Sequence, residues 1–300
     1  MSAPPPSPHE TQPLAPTRPM YWSVRRELWE NRSLYVAPLI AAAVILFGFS
    51  IRTITLPRRL RAMSALDPAQ QLEALARPYD MAAALIILTA YIVGAFYCLD
   101  ALYGERRDRS ILFWKSLPVS DLTTVLSKAS IPLVVLPVLV FAIALATQLA
   151  MLLLSTVVLL ASGLGAATLW TRLFLDTPVL IYGLTVHALW HAPLYAWLLL
   201  ISSWARRTPF LWAVLPPLAL GAAERIAFQT SYFASLVKYR LIGAMAEAFT
   251  LKAGDEGLCI RLGQLDPLGF LGSPGLWIGL AAAAAFLAAA ARLRRSREPI

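Results

Sequence analysis

Charged residues are scarce in this 300-residue chain, in which Asp, Glu, Lys and Arg together make up 14% of the composition. Soluble domains carry about 25%. Hydrophobic residues make up 58%, and the mean hydropathy is +0.64. One soluble core of this size cannot bury so much apolar surface. The composition therefore excludes an ordinary soluble protein and predicts an integral membrane protein.

Motifs for nucleotide, metal and covalent chemistry are also missing. No Gly is followed by Lys anywhere, so the chain has no P-loop in which to hold ATP. It also lacks the G-x-S-x-G pattern of hydrolases and the H-E-x-x-H pattern of metalloproteases. Its two cysteines, Cys98 and Cys259, fall on opposite predicted faces of the membrane, so neither a disulfide nor a C-x-x-C metal site is expected. These absences favour a chain that is not an enzyme and holds no cofactor or metal.

The charge that is present is mostly basic, with a net charge of +9 and a pI near 9.9. Such a balance can indicate nucleic-acid binding, but here Lys and Arg flank apolar runs, as they do at cytoplasmic membrane faces. No soluble segment offers interleaved aromatic residues on which bases could stack. We therefore expect contact with membrane lipid and no contact with nucleic acid.

The N-terminal region divides into a tail and a helix. Residues 1–19 are rich in proline and poor in apolar residues, which predicts a disordered cytoplasmic tail and no signal peptide. From Met20 to Arg32 the apolar residues recur at helical spacing, and Arg26, Glu27 and Glu30 fall opposite them. This pattern predicts an N-terminal interfacial helix or, equally, a simple extension of the first span.

Residues 20–300 contain six apolar segments, each supplying the roughly 20 residues that a bilayer crossing needs. The segments between 52 and 80 and between 161 and 176 are predicted external connections, the first with a short helix at 68–76. The uncharged run 129–171 could form two tight spans, but one long helix is preferred because two would leave almost no connection. We predict an all-α, polytopic transmembrane domain of six spans: 33–51, 81–99, 129 to about 160, 178–204, 210 to about 232, and 268–291.

Basic residues beside the spans predict the orientation. Arg206 and Arg207 directly follow the fourth span, and four arginines follow the last one. Such residues favour the cytoplasmic side, and an even number of spans brings both termini to one side. We therefore expect a protein of the cytoplasmic (inner) membrane with both termini in the cytoplasm.

A polar segment, residues 101–129, separates the second and third spans and contains five bases and three acids. Arg107, Ile111 and Trp114 have the spacing i, i+4, i+7, which predicts a short helix with a basic and aromatic face. Pro118 should end this helix, and Ser120 is placed to cap the next one.

This segment resembles the cytoplasmic loop of type-2 ATP-binding-cassette (ABC) permeases, the exporter-type membrane subunits. The similarity lies in an acid beside bases, a small residue and an apolar stretch, a Leu-Pro turn, and a lysine that enters the third span. The matching residues are Glu105-Arg106-Arg107, Ser110-Ile111-Leu112, Leu117-Pro118-Val119-Ser120 and Lys128. In that family the loop is a coupling helix that lies in a groove of the ATPase.

The resemblance implies a permease subunit that is driven by another polypeptide. Two ABC ATPase subunits would bind ATP and magnesium, and two permease chains, either copies or paralogues, would pair around a central path. Arginines of the loop would contact acidic groups of the ATPase, and its aromatic residues would be apolar anchors. The implied ATPase-coupling residues are Glu105, Arg106, Arg107, Arg109, Phe113, Trp114, Pro118 and Ser120.

Two polar groups interrupt the later spans. His187 and His191 are spaced i, i+4, so both rings face one way and could line a substrate path, lie at a helix interface or share a metal. No metal site is predicted, because no carboxylate or cysteine lies nearby in the sequence. Glu224-Arg225 is either a functional pair within the membrane, with Glu224 in the substrate path, or a sign that the fifth span ends near Ala223.

The leading hypothesis is a permease subunit of an ABC exporter, which couples ATP hydrolysis by a separate subunit to translocation of a substrate. One alternative is a membrane-embedded, metal-dependent enzyme built on His187, His191 and Glu224. The other is a membrane scaffold that transports nothing. Co-purification with a soluble P-loop ATPase would distinguish the first hypothesis from both alternatives.

Overall fold

The protein is an all-α bundle, without strands in the residues that its computed structural model describes: 19–62, 67–112, 119–165, 167–250 and 262–296. In chain order the helices are α1 (Pro19–Glu30), α2 (Ser33–Thr53), α3 (Leu56–Ala62), α4 (Pro68–Ala101), α5 (Tyr103–Arg107), α6 (Asp121–Ser130), α7 (Leu136–Ala161), α8 (Ala167–Trp204), α9 (Pro209–Phe228), α10 (Tyr232–Ile242), α11 (Ala244–Ala248), α12 (Pro267–Gly272) and α13 (Pro274–Ser296).

Six helical stretches are long and apolar enough to cross a membrane. They are α2, α4, α6 with α7, α8, α9 and α13. The prediction of a polytopic membrane protein with six spans is confirmed. The predicted disordered tail lies outside the described residues, except for Pro19 at the start of α1.

The third span is continuous but changes its hydrogen-bonding pattern once. A π-helical turn, Ile131–Val135, joins α6 directly to α7. Pro132 and Pro137 have no N–H to donate, so regular α-helical bonding cannot continue through this stretch. A π-turn accommodates such an interruption without ending the helix. The single long span predicted from residue 129 is confirmed, and the alternative of two spans is wrong.

Two helices extend well beyond the apolar segments from which they were predicted. α4 begins at Pro68, so the helix predicted at 68–76 is present but is not separate from the second span, and the loop predicted from there to residue 80 is wrong. α8 begins at Ala167, so the external turn predicted through Asp176 is also wrong. Hydropathy detects only the part of a helix that suits lipid. The hydrogen bonds of a helix join backbone groups and do not require apolar side chains. A helix can therefore continue through polar turns beyond its apolar part.

α1 is a helix of its own, because the chain leaves helical geometry at Asn31 before α2 begins. The alternative of a simple extension of the first span is therefore wrong. Val24 and Leu28, which share a face of α1, pack against the main core. On the outer side Trp22 and Trp29 are more than half exposed.

The bundle has two ends, which we call basal and apical. The apical end holds α3 and the turn between α7 and α8, where Arg61 Nη2 lies 3.5 Å from the carbonyl oxygen of Ser162. The basal end holds the C-terminal ends of α4, α8 and α13. There the Ser202 hydroxyl accepts bonds from the backbone N–H groups of Leu102 and Tyr103 at 3.0 and 2.9 Å. These bonds fix the chain to α8 as it leaves α4.

The main core lies where α2, α4, α7 and α8 meet. Leu34, Ile86, Val140 and Leu199, one from each helix, are at most 1% exposed. Gly94 allows α4 to approach closely, because an added Cβ would lie 3.0 Å from Leu136 Cδ2. By contrast α9 buries only its Ala213, so most of its surface faces away from the bundle.

Candidate functional site

Ionisable side chains from four helices meet at the basal end in one group, which we call the ionic cluster. Its members are Glu27 of α1, Glu105 of α5, Lys128 of α6 and Arg294 of α13. Lys128 Nζ lies 2.8 Å from Glu27 Oε1 and 3.1 Å from Glu105 Oε1. Arg294 Nη2 lies 3.1 Å from Glu105 Oε2. The ionic cluster therefore connects the segment after the second span with the third span, the sixth span and the N-terminal helix.

Three more side chains complete the ionic cluster at its edge. Arg26 Nη2 lies 2.7 Å from Glu27 Oε1, and the Tyr97 hydroxyl donates to Glu27 Oε2 at 2.8 Å. Arg294 also pairs with Asp121, in the first turn of α6. With these additions the acids Glu27, Glu105 and Asp121 face the bases Arg26, Lys128 and Arg294, and Arg26 also lies 3.5 Å from the exposed Glu30.

The ionic cluster is almost closed to solvent. The exposed side-chain fraction is 1% for Glu27, 3% for Lys128, 4% for Arg294 and 8% for Glu105. Burial alone raises the pKa of the Glu27 carboxyl, but Lys128 and Arg26 outweigh burial and hold that pKa below its ordinary value. Glu27 is therefore held in its ionised form. Removal of any one partner would leave a buried charge without compensation.

Sequence reasoning missed the central role of Glu27. It was predicted on the polar face of α1, opposite the apolar residues, and this is wrong. Val24, Glu27 and Leu28 follow the spacing i, i+3, i+4 of a single helix face, and that spacing was the available signal. A single sequence does not reveal which distant base would compensate a buried acid, so the pairing with Lys128 could not be predicted.

Arg106 also faces the interior and not the surface. It is 3% exposed, and its Nη2 donates to the carbonyl oxygens of Ser202 and Ala205 at the end of α8. The last carbonyls of a helix have no partner within that helix, and a guanidinium satisfies them well. The predicted role of Arg106 as a direct contact for a partner does not fit this placement. The residue instead attaches α5 to the fourth span.

Arg107 and Arg109 are the exposed arginines of the same segment. α5 ends at Arg107, and Arg109 adopts a left-handed backbone with φ of 58°. The predicted single helix with Arg107 and Ile111 on one face is therefore wrong, because the chain turns between them and Ile111 is 2% exposed. Phe113, Trp114 and Pro118 lie outside the described residues.

Ser120 caps α6, as predicted. Its hydroxyl accepts a bond from the Thr123 backbone N–H at 3.1 Å, and Asp121 occupies the first turn. This acid near the helix N-terminus interacts favourably with the helix dipole. The cap fixes the residue at which α6 begins. Lys128 lies two turns further along this helix and there joins the ionic cluster.

A second polar group lies in the middle of the bundle around the two histidines. The His187 and His191 ring centroids are 4.2 Å apart, and the Tyr91 ring lies edge-on to both at 5.2 Å. The Tyr195 hydroxyl is 3.4 Å from His187 Nε2. The prediction that both imidazoles face one way is confirmed.

The histidines line a cavity of about 490 Å³, which we call the cleft. It lies between α4, α7, α8 and the short helices α10 and α11. Its walls include Tyr91, Gln148, Leu180, Ile242 and Met245. A volume of this size is typical of small-molecule sites.

The histidine geometry does not favour a metal. His191 Nδ1 lies 2.9 Å from the carbonyl oxygen of His187, and its Nε2 lies 3.3 Å from that of Leu241. In either neutral tautomer the single ring lone pair therefore faces a carbonyl oxygen. Within the described residues no three His, Cys, Asp or Glu side chains are grouped as metal ligands would be. Cys98 is a buried free thiol, and Cys259 lies outside the described residues.

Glu224 caps a helix. Its carboxylate accepts bonds from the Thr230 hydroxyl at 2.8 Å and from the backbone N–H groups of Tyr232 and Phe233 at 2.7 and 2.8 Å. These amides begin α10, which turns back along the fifth span. α9 continues to Phe228, so the helix itself does not end near Ala223. Glu224 does not line the cleft.

We expect Glu224→Ala to loosen the start of α10, because two bonds to its first turn and one to Thr230 just before it are lost. Without these bonds the first turn opens more often, so the Tyr232 and Phe233 amides should exchange hydrogen about tenfold faster. Hydrogen exchange measured by mass spectrometry tests this expectation, with the exposed neighbour Arg225→Ala as the control. Unchanged exchange in the Glu224 variant would contradict the capping role.

Known proteins give no direct guide to this arrangement. No protein-family model matches the chain, and neither a curated protein nor a solved structure matches it. The function is therefore inferred from the chemistry and geometry of the chain's own residues.

Proposed function

We propose that this chain is the membrane-spanning permease subunit of an ABC exporter, which couples ATP hydrolysis by separate subunits to translocation. The observation that carries the proposal is the position of Glu105. It lies in the segment that resembles a coupling loop, and it is paired with Lys128 of the third span and Arg294 of the sixth. Its neighbour Arg106 is bonded to the end of the fourth span. A force applied to this segment would therefore reach several spans at once.

The ionic cluster suits the transmission of force. Separation of one buried pair leaves charges uncompensated in a medium of low dielectric constant, at a cost of about 3–5 kcal/mol. Movement of the whole group as one body avoids that cost. Two ATPase subunits that close on ATP would thus shift the basal ends of the spans together, and the permease would change between two states of access.

The exposed residues of the segment are the proposed contacts for the ATPase. Arg107 is 53% exposed and lies 3.0 Å from Asp108 and 3.7 Å from Asp100, so it is held at the surface by weak, exposed ion pairs. An acidic group of the ATPase could replace these partners. Arg109 is exposed beside it, and Phe113 and Trp114 are the proposed apolar anchors. ATP and magnesium would bind on the ATPase, because this chain has no P-loop.

The proposed orientation places the basal end in the cytoplasm of a cell with an inner membrane. α1 and the C-terminal turns of α13 both join the ionic cluster, as expected when the two termini lie on one side. A second permease chain, either a copy or a paralogue, would complete the central path. The alternatives of a metal-dependent enzyme and a scaffold have no comparable support. For the enzyme, both ring nitrogens of His191 face carbonyl oxygens.

Affinity isolation from native membranes tests the proposal. The tagged chain should bring down a soluble ATPase with a P-loop, recognised by mass spectrometry and by ATP hydrolysis. Arg107→Ala and Trp114→Ala should each reduce the recovered ATPase about tenfold, since each removes a contact of the hot-spot kind. Membrane insertion should be unchanged, because Arg107 makes no buried contact.

Arg58→Ala is the matched control, because Arg58 is an exposed arginine of α3 at the apical end. It should leave the recovered ATPase unaltered. Recovery of the chain without any P-loop protein would refute the proposal. Equal recovery with the Arg107, Trp114 and Arg58 variants would refute the assignment of this segment as the contact.

A further inference from the structure

The cleft contains a tyrosine hydroxyl that no other group of the described residues bonds. Tyr91 of α4 lines the cleft, and its ring lies edge-on to the rings of His187 and His191, with centroids 5.2 Å apart in each pair. These contacts hold the ring, but its hydroxyl has no hydrogen-bond partner in that part of the chain. A polar group among apolar walls is costly without such a bond. The hydroxyl of Tyr91 therefore favours a ligand that supplies one.

Two more polar side chains line the cleft from other helices. Among the described residues, the amide of Gln148 on α7 has one partner, the carbonyl oxygen of Tyr79, which is 3.4 Å from Nε2. The amide oxygen is thus left to accept another bond. His187 of α8 uses its Nε2 for the Tyr195 hydroxyl, also at 3.4 Å. Three helices therefore place neutral hydrogen-bonding groups around one cavity.

The cleft is poorly suited to a charged ligand. None of its described lining residues is Lys or Arg, so an anion would meet no base there. Its two acids, Asp80 and Asp176, each already have an interaction within the protein. Transfer of a charge from water into largely apolar walls is strongly unfavourable without an opposite charge. The cleft therefore favours an uncharged molecule.

The remaining walls are apolar and reach the side of the bundle. Val179 and Leu180 line the cleft on α8, and Leu88 and Ile242 line it while remaining 53% and 67% exposed. Leu88 lies within the second span, so the cleft opens sideways at the depth of the membrane. A molecule dissolved in lipid can enter there. A few polar groups within largely apolar walls are typical of small-molecule sites.

We propose that the cleft binds an uncharged lipophilic molecule that carries a hydroxyl group. The apolar walls cover the body of the molecule, and its hydroxyl bonds the hydroxyl of Tyr91. Each hydroxyl can both donate and accept, so the pair is satisfied in either direction. The amide oxygen of Gln148 accepts when the ligand donates. The inference rests on the proposed function only in taking this molecule as the transported substrate, since binding is a property of the cleft itself.

Photolabelling tests the proposal on the full chain, purified into nanodiscs of zwitterionic lipid. The probes are phenyldiazirines of one shape, which carry a hydroxymethyl group, an aminomethyl group, a carboxylate or no polar group. Mass spectrometry counts adducts on Val179 and Leu180 relative to adducts on Phe47, a residue of α2 that is 72% exposed and reports simple access from lipid. This ratio should be highest for the hydroxymethyl probe and about tenfold lower for the two charged probes. An excess of the matching benzyl alcohol without the diazirine should protect the cleft.

Tyr91→Phe should lower the ratio for the hydroxymethyl probe about fivefold, as expected for loss of one hydrogen bond, and should not change it for the probe without a polar group. The phenylalanine ring keeps the contacts with the histidines, so the fold is little disturbed. Tyr232→Phe is the control, because Tyr232 is 78% exposed and does not line the cleft. It should label like the unaltered chain.

Gly183→Leu should remove labelling of the cleft by every probe. Gly183 lines the cleft, and an added Cβ there meets no atom within 4 Å, so leucine extends into open space and fills it. Gly48→Leu is the control, because Gly48 lies on the exposed side of α2 and an added Cβ there also meets no atom within 4 Å. It should leave labelling of the cleft unchanged.

Equal ratios for the four probes would overturn the proposal, and so would absence of cleft adducts with the hydroxymethyl probe. Undiminished labelling of a folded Gly183→Leu variant would do the same, even if Tyr91→Phe failed to fold. The assay needs no ATPase, so failure here leaves the proposed permease function intact. Conversely, a chain that binds the hydroxymethyl probe but recovers no P-loop ATPase would refute the permease function alone.

Discussion

Replacement of Lys128 by methionine is expected to lower the free energy of unfolding by about 3–5 kcal/mol. Lys128 is 3% exposed and pairs with Glu27 and Glu105 at 2.8 and 3.1 Å. Methionine keeps most of the side-chain length, so little packing is lost. The main effect is that two buried carboxylates lose the base between them. Equilibrium unfolding in detergent micelles measures the change.

Two further variants separate the loss of the ion pair from other causes. Lys238→Met removes an exposed lysine of α10 and should change the free energy of unfolding by about 0.5 kcal/mol or less. The double variant Glu27→Gln with Lys128→Met removes one of the uncompensated acids and should recover part of the loss. A Lys128 variant as stable as the Lys238 variant would show that the ionic cluster does not hold the basal ends together.

Replacement of Trp190 by alanine is expected to cost a similar amount, about 3–5 kcal/mol. Trp190 is fully buried, and its ring packs with Phe249, Phe270 and Leu276. Its Nε1 donates to the carbonyl oxygen of Arg240 at 3.0 Å, and the guanidinium of Arg240 lies 4.5 Å from the centre of its ring. This one side chain therefore attaches the short helices between the fifth and sixth spans to α8.

Hydrogen exchange should show where the stability is lost. In Trp190→Ala the backbone of α10 to α12 should exchange faster, whereas α2 and α4 should not change. Trp277→Ala is the control, because Trp277 is a tryptophan of α13 with 59% of its surface exposed. A loss spread evenly over the bundle would contradict the local attachment.

Hydropathy was sufficient to count the spans but not to find their ends. Helices α4 and α8 begin 13 and 11 residues before the predicted spans at 81 and 178, because turns of mixed polarity continue them. Proline did not end the third span either. The π-turn contains Pro132, and Pro137 lies in the first turn of α7, where the helix continues. Predictions from the local sequence were more reliable where a single side chain sets the backbone geometry. The cap that Ser120 forms on α6 is an example.

The candidate site was only partly visible in the sequence. The segment around Glu105 was identified, but its residues separate in the structure into buried connections, Glu105 and Arg106, and exposed ones, Arg107 and Arg109. The acids of the cleft were not identified at all. Asp80 and Asp176 were predicted in external connections, and only the helical continuation of α4 and α8 brings them to one cavity.

Hydropathy along the sequence by itself determined that this chain is a membrane protein with six helical spans, because apolar runs of that length have no other stable environment. Tertiary structure alone decided which charges are buried together. Lys128 stands 101 positions from Glu27, and Arg294 stands 189 from Glu105. Spacing along one helix predicts which face a residue occupies, but the compensation of a buried charge depends on which helices pack side by side.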